Sequence, residues 1–220
     1  MSTYLVLKWL HIIAMAYWLG GEWGVFNSSR YVTDPKLSLD ERHRHMETAH
    51  RIDILPRTGI IMLLPLGLHM GNLLGVQPLG GNWLVAMWIF VAVWWSITLS
   101  AFIKRGTDTG LRLTKVDEAI RYVVIPAIMI TAIMSLVTGE PFLAKWYAAK
   151  VLIFSVLLVM GLVLRFIMRA WIIQFRKLAD GSNPQAEAKL EKDIRLGRGI
   201  AYFYWIGIAT VAYLGVAKPF

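Results

Sequence analysis

Two histidines in apolar stretches are the residues of this sequence best suited to chemistry. His11 lies in KWLHIIAMAYW, and His69 lies in LPLGLHMGNLL. An ionisable side chain within an apolar membrane helix is costly and usually marks function. Because imidazole is a ligand of haem iron and of copper, both histidines are candidate ligands of a metal ion or a haem.

The residues around His11 follow the period of an α-helix. Their offsets of three or four residues place five side chains on one helix face. These are Lys8, His11, Met15, Trp18 and Glu22. The opposite face carries no charge, so we expect this polar stripe to face other helices rather than lipid. The small residues Gly20 and Gly21 would allow a second helix to approach closely.

The two histidines are predicted to lie at nearly the same depth. His11 is about 10 Å from the outer end of its span, and His69 is about 8 Å from the outer end of the next span. Since consecutive spans run antiparallel, the two imidazoles could meet. Three interpretations stay open: structural hydrogen bonds to neighbouring helices, ligation of haem b by both histidines, or a copper site formed by His11, His69, Met15 and Met70.

Basic side chains at a similar depth would complete a haem site. Lys8, Lys145 and Lys150 lie on the same outer side and could neutralise the propionates of a haem. The predicted cofactor-binding residues are therefore His11, His69, Lys8, Lys150 and Met15, with His11 and His69 as the metal ligands.

The composition indicates the elements that must position these residues. Hydrophobic residues make up 57% of the 220 residues and charged residues 17%, against roughly 45–50% and 25% in a soluble domain. The excess lies in six runs, each near the roughly 20 residues that cross a bilayer. They are Tyr4–Phe26, Ile54–Leu74, Trp83–Ile103, Ala119–Val137, Lys145–Ile167 and Gly199–Ala217. We predict one all-α domain over residues 1–220, a polytopic membrane bundle of about six transmembrane helices.

Lysine and arginine are distributed unevenly between the two sides of this bundle. The connections on one side carry 18 of the 23, whereas the other side has only Lys8, Lys145, Lys150 and Lys218. Because cytoplasmic loops are enriched in basic residues, both termini are predicted to lie on the non-cytoplasmic side. The first span lacks a basic n-region and a small-residue cleavage site, so we expect it to remain in the protein.

The same charge pattern and the absence of cysteine exclude several classes of function. The net charge of +9 reflects mainly topology, and the basic loops are short and without a recognition motif, so nucleic-acid binding is not expected. With no cysteine in the sequence, disulfides, thiolate metal sites and cysteine nucleophiles are excluded.

Charged residues near the cytoplasmic boundary form a second candidate cluster. Glu22 is predicted to pair with Arg51 or Arg57 where span two begins. Arg165 lies within the fifth apolar run and is expected to extend toward the cytoplasmic surface.

A polar helix between the first two spans carries three residues with metal-ligand spacing. His43, Glu47 and His50 stand at i, i+4 and i+7 and could chelate a metal ion. A solvated helix face is the favoured interpretation.

The string KWLHIIAMAYWLGG resembles the first helix of HemJ/CopD-like membrane proteins, whose pattern is K-x-x-H-[IL]-[IL]-x4-W-x-x-G. The approach to span two is similar to that of HemJ, and Trp146-x3-Lys150 resembles its W-x-H-x-K element, with Ala148 at the position of that histidine. The residues that carry the resemblance in the first helix are Lys8, His11, Trp18 and Gly21. Those that carry it in the approach to span two are Glu41, Arg42, Met46, Glu47 and Pro56.

The resemblance implies a haem- or metal-binding, multi-pass protein of the bacterial inner membrane. The leading hypothesis is a haem b-binding redox protein that exchanges electrons with quinol or a periplasmic partner. Such a protein could act as a membrane oxidoreductase. The alternatives are a CopD-like copper protein, a HemJ-like protoporphyrinogen oxidase, or a non-catalytic subunit of a membrane complex. A homo-oligomer is compatible with each.

Overall fold

The computed structural model describes residues 2–219, which fold into seven α-helices joined by short connections. The helices are α1 Thr3–Ser29, α2 Leu39–Ile52, α3 Ile54–Leu73, α4 Asn82–Ile103, α5 Asp108–Thr138, α6 Lys145–Ala179 and α7 Pro184–Ala217. No β-strand occurs in this part of the chain. The predicted all-α fold is confirmed.

Six helical segments are long and apolar enough to cross a membrane, and α2 with α3 forms the second of them. This confirms a multi-pass membrane protein in contact with lipid. Several helices extend beyond the predicted apolar runs, because their polar flanks continue the helix. Thus α5 begins at Asp108 and α7 at Pro184, and α6 ends at Ala179.

Capping residues explain where three helices begin. Ser38, Thr107 and Asn183 each accept a hydrogen bond from the backbone N–H three residues further on. At α2 the carboxylate of Glu41 also accepts from the Ser38 backbone, which completes a capping box. These bonds satisfy N–H groups that have no partner within the helix.

The helices close into a ring. Each helix from α3 to α6 packs against the helix that follows it along the chain, and α1 packs against both α3 and α7. The short helix α2 contacts α1, α3 and α6. Residues from α1, α3, α6 and α7 therefore meet in the interior, where any buried site must form.

Glycines allow α1 and α3 to approach closely. A Cβ at Gly21 would overlap the ring of Pro56, and a Cβ at Gly59 would lie 2.5 Å from the carbonyl oxygen of Ala14. Gly20 faces open space. The predicted close approach is therefore made by Gly21 and not by Gly20.

The two ends of the bundle differ in composition. We call the end where α1 begins and α7 ends the terminal end. At this end the two connections are joined by a hydrogen bond from the Leu143 N–H to the Val76 carbonyl at 2.9 Å. The opposite end, the basic end, carries most of the lysine and arginine. There Arg42 of α2 pairs with Glu187 of α7 at 2.7 Å.

Candidate functional site

A cavity of about 210 Å³ opens among α1, α3, α6 and α7 in the half of the bundle nearer the terminal end. Most of its walls are apolar. The side chains that give it chemical character are Lys8, His11, Met15, Met70, Tyr147 and Lys150. Four of the five predicted cofactor-binding residues thus line one cavity, which we call the terminal-end cavity.

His11 is the imidazole that lines this cavity. Its Nδ1 atom is buried and makes no hydrogen bond to any residue from 2 to 219. Its Cε1 atom lies beside Gly67 of α3, at 3.5 Å from where a Cβ would stand. An unsatisfied polar group in such a place is costly. The imidazole is therefore available to a ligand that enters the cavity.

Two lysines contribute positive charge to the cavity. Lys8 precedes His11 by one turn of α1 and is exposed, whereas Lys150 of α6 is half-buried and its Nζ lies against Gly215 of α7. Neither forms an ion pair within the described chain. The cavity therefore presents two ammonium groups that no carboxylate of residues 2–219 neutralises.

Two methionines face the same space from neighbouring helices. Met15 follows His11 by one turn of α1, and Met70 follows Gly67 by about one turn of α3. Thioether sulfur is a soft ligand that suits Cu(I) and also binds haem iron. Beside them, the Tyr147 hydroxyl donates to the Gly67 carbonyl at 3.1 Å.

His69 does not line the terminal-end cavity. The Trp88 Nε1–H of α4 donates to its Nδ1 at 3.3 Å, and the two rings meet edge to face with centroids 6.4 Å apart. His69 follows Gly67 by two residues, which rotates it by roughly 200° around α3. The two histidines are thus close in depth, but His11 faces the cavity and His69 faces α4.

No histidine takes the place of the one that the W-x-H-x-K pattern has at the start of α6. Ala148, which occupies the histidine position of the W-x-H-x-K pattern, is fully buried and packs with Phe142 and Tyr147. Lys150 from the same pattern does line the cavity.

A network of ion pairs in the basic half is the feature that sequence reasoning missed. Asp117 of α5 is fully buried and forms ion pairs with Arg121 and Arg165. It also accepts hydrogen bonds from Trp94 Nε1 at 2.8 Å and Thr98 Oγ1 at 2.9 Å. Arg165 of α6 therefore does not extend to the surface as predicted, because the buried carboxylate of Asp117 on the preceding helix holds it.

Glu118 extends this network toward the surface. Its carboxylate pairs with Arg169 and lies 3.6 Å from the Arg165 Nε. Asp117 and Glu118 lie just before the predicted start of the fourth span at Ala119, and therefore outside the apolar runs. The signal that could have found them is the i, i+4 spacing of Asp117 and Arg121 opposite an arginine inside the next apolar run.

The predicted ion pair of Glu22 is not present. Arg57 instead pairs with Asp53, one turn earlier at the junction of α2 and α3. Glu22 forms no ion pair within residues 2–219, and Arg51 is exposed. Both Glu22 and Arg57 line a second cavity, described below, of about 70 Å³.

The three polar residues of α2 with metal-ligand spacing have separate partners. The His43 ring contacts Phe175 edge to face, Glu47 pairs with Arg105 at 2.9 Å, and the His50 Nδ1 contacts the Met46 carbonyl. Across the described residues, no group of three or more histidine, aspartate or glutamate side chains is placed to hold a metal ion.

Comparison with known proteins adds no relationship to these observations. No family model, curated protein or solved structure matches the chain. The resemblance to HemJ/CopD-like proteins therefore rests on the residues quoted for it.

Proposed function

We propose that this protein binds haem b in the terminal-end cavity, where His11 would hold the iron, and takes part in electron transfer at the membrane. The observation that carries the proposal is one apolar cavity lined by an imidazole without a hydrogen-bond partner and by two lysines without an ion pair, as far as the described part of the chain extends. Haem has the matching chemistry, since its macrocycle is apolar, its iron binds imidazole and its propionates are anionic.

The residues of the cavity divide into three roles. His11 would hold the iron, and Lys8 and Lys150 would neutralise the propionates. Met70, which lines the cavity from α3, would be the candidate for a second residue that holds the iron, because His69 faces α4. A bound haem would supply one-electron exchange, and the axial ligands and nearby charges would set its potential.

A copper site is the second candidate, and the methionines favour it. His11, Met15 and Met70 line the same cavity, and an imidazole with two thioethers is a suitable donor set for Cu(I). The two lysines favour haem over copper, because their charges repel a metal cation and attract a carboxylate.

The orientation predicted from the charge distribution would place the electron transfer on one side of the membrane. The excess of basic residues at the basic end favours a cytoplasmic position for it. The terminal-end cavity would then face the outer side of a bacterial inner membrane, where quinol or a periplasmic protein could exchange electrons with a haem.

The test is the cofactor content of the full chain purified in a neutral detergent from cells supplied with a haem precursor and with copper. We expect one haem per chain, with a Soret band and a sharp α-band on reduction, and copper well below one atom per chain. Stoichiometric copper without a Soret band would support the second candidate. A protein with neither would contradict both.

A further inference from the structure

The second cavity lies in the basic half of the bundle and is rich in arginine. It occupies about 70 Å³ among α1, α3, α5, α6 and α7. Its charged lining residues are Glu22, Asp53, Arg57, Arg121, Arg165 and Arg198. We call it the basic-end cavity. Four guanidinium groups thus face one small space together with two carboxylates.

The carboxylates do not satisfy these guanidinium groups. Each guanidinium has five N–H donors and no acceptor. Arg121 is only 6% exposed and donates through its Nε to Asp117, yet its Nη2 is buried without a hydrogen-bond partner among residues 2–219. Arg198 makes no ion pair in the same range and lies over the Phe26 ring, at 4.5 Å from the centroid.

The pairs that do form use only part of the donor capacity of the other two arginines. Arg57 directs its Nε and one Nη toward Asp53, and Arg165 directs one Nη toward Asp117. A buried guanidinium with N–H groups that lack an acceptor is costly, and an anion that accepts several of these N–H groups offsets that cost.

We infer that the basic-end cavity is a binding site for a phosphate group, either free or carried by an anionic lipid headgroup. A phosphate has several acceptor oxygens and matches the forked geometry of arginine. Basic sites between transmembrane helices on the cytoplasmic side are typical places for anionic headgroups. The terminal-end cavity and any haem in it play no part in this inference.

Glu22 is the second carboxyl group beside this cavity. It forms no ion pair with any residue from 2 to 219, so it neutralises none of the four guanidinium groups.

The experiment measures the unfolding midpoint of the full-length protein in an uncharged detergent. One arm titrates inorganic phosphate against sodium chloride of equal ionic strength. The other titrates phosphatidylglycerol against diacylglycerol with the same acyl chains. A ligand that binds the folded state raises the midpoint in a saturable way and yields an apparent Kd. Saturation with phosphate identifies a free ion, and saturation with phosphatidylglycerol alone identifies a lipid headgroup.

Arg198→Gln should raise the apparent Kd about tenfold, since a hydrogen bond to a charged group is lost. Arg195→Gln is the matched control, because Arg195 is exposed and lies three residues earlier on α7; it should bind as the wild type does. Arg121→Lys should also weaken binding, because it keeps the charge and loses the fork. The inference is overturned if neither ligand gives a saturable shift, or if Arg198→Gln and Arg195→Gln lose the same amount of affinity.

Discussion

The indole Nε1–H of Trp18 donates a hydrogen bond to the hydroxyl of Tyr204 at 3.0 Å, and this pair separates the two cavities. Along α1, Trp18 lies between Met15, which lines the terminal-end cavity, and Glu22, which lines the basic-end cavity. The two rings pack edge to face, with centroids 5.5 Å apart, and both are almost fully buried. A tightly packed aromatic layer therefore lies between the two polar regions.

Removing the hydroxyl of this pair should destabilise the protein. Tyr204→Phe leaves the Trp18 indole N–H buried without an acceptor, which costs roughly 1–3 kcal/mol. The free energy of unfolding in detergent, measured by denaturant titration, checks this. Tyr213→Phe is the control, because Tyr213 is exposed. Equal stability of Tyr204→Phe and wild type would show that the hydrogen bond contributes little.

Asp117 should be essential to the stability of the basic half. Asp117→Asn leaves Arg121 and Arg165 without their shared charged partner, and breaking a buried ion pair costs about 3–5 kcal/mol. The same unfolding measurement tests this. Asp180→Asn, at an exposed position after α6, should change stability little. A loss below about 1 kcal/mol for Asp117→Asn would place this network in a solvated environment.

The close contact between α1 and α3 requires a glycine at position 59. Gly59→Ala would place a Cβ 2.5 Å from the Ala14 carbonyl oxygen and 2.8 Å from the Trp18 backbone nitrogen. The helices would have to separate, at a cost of roughly 1–3 kcal/mol. Gly20→Ala is the matched control on α1, because nothing lies within 4 Å of its Cβ position. Thermal unfolding of both variants should show a lower midpoint only for Gly59→Ala.

Reporter fusions test the proposed orientation. A reporter inserted at Pro78 or fused after the last residue should be active outside the cytoplasm, because basic residues concentrate at the opposite end. A reporter inserted at Ser182, between α6 and α7, should show cytoplasmic activity. Cytoplasmic activity at either of the first two positions would contradict the orientation.

The helices and the polar face of α1 follow directly from the sequence. Apolar run length predicts the spans, and the offsets from Lys8 to Glu22 predict a stripe whose residues line the two cavities. These patterns repeat along one helix and need no knowledge of its neighbours.

The relationships between helices do not follow in the same way. The depth of His69 was predictable from helix rise, but its direction depends on how α3 is rotated against α1 and α4. Likewise, Arg165 alone could extend to the surface or pair inward. Its partner Asp117 lies on another helix, and only the packing of α5 against α6 brings the two together.

The most direct test of the central claim is the reduced-minus-oxidised absorption spectrum of three variants of the purified protein. His11→Ala should lose the haem or change its spin state, because His11 is the histidine that lines the terminal-end cavity. His69→Ala and the α2 control His45→Ala should keep the wild-type α-band and haem content. A wild-type spectrum in His11→Ala, or loss of haem in His69→Ala alone, would contradict the assignment of His11 as the ligand.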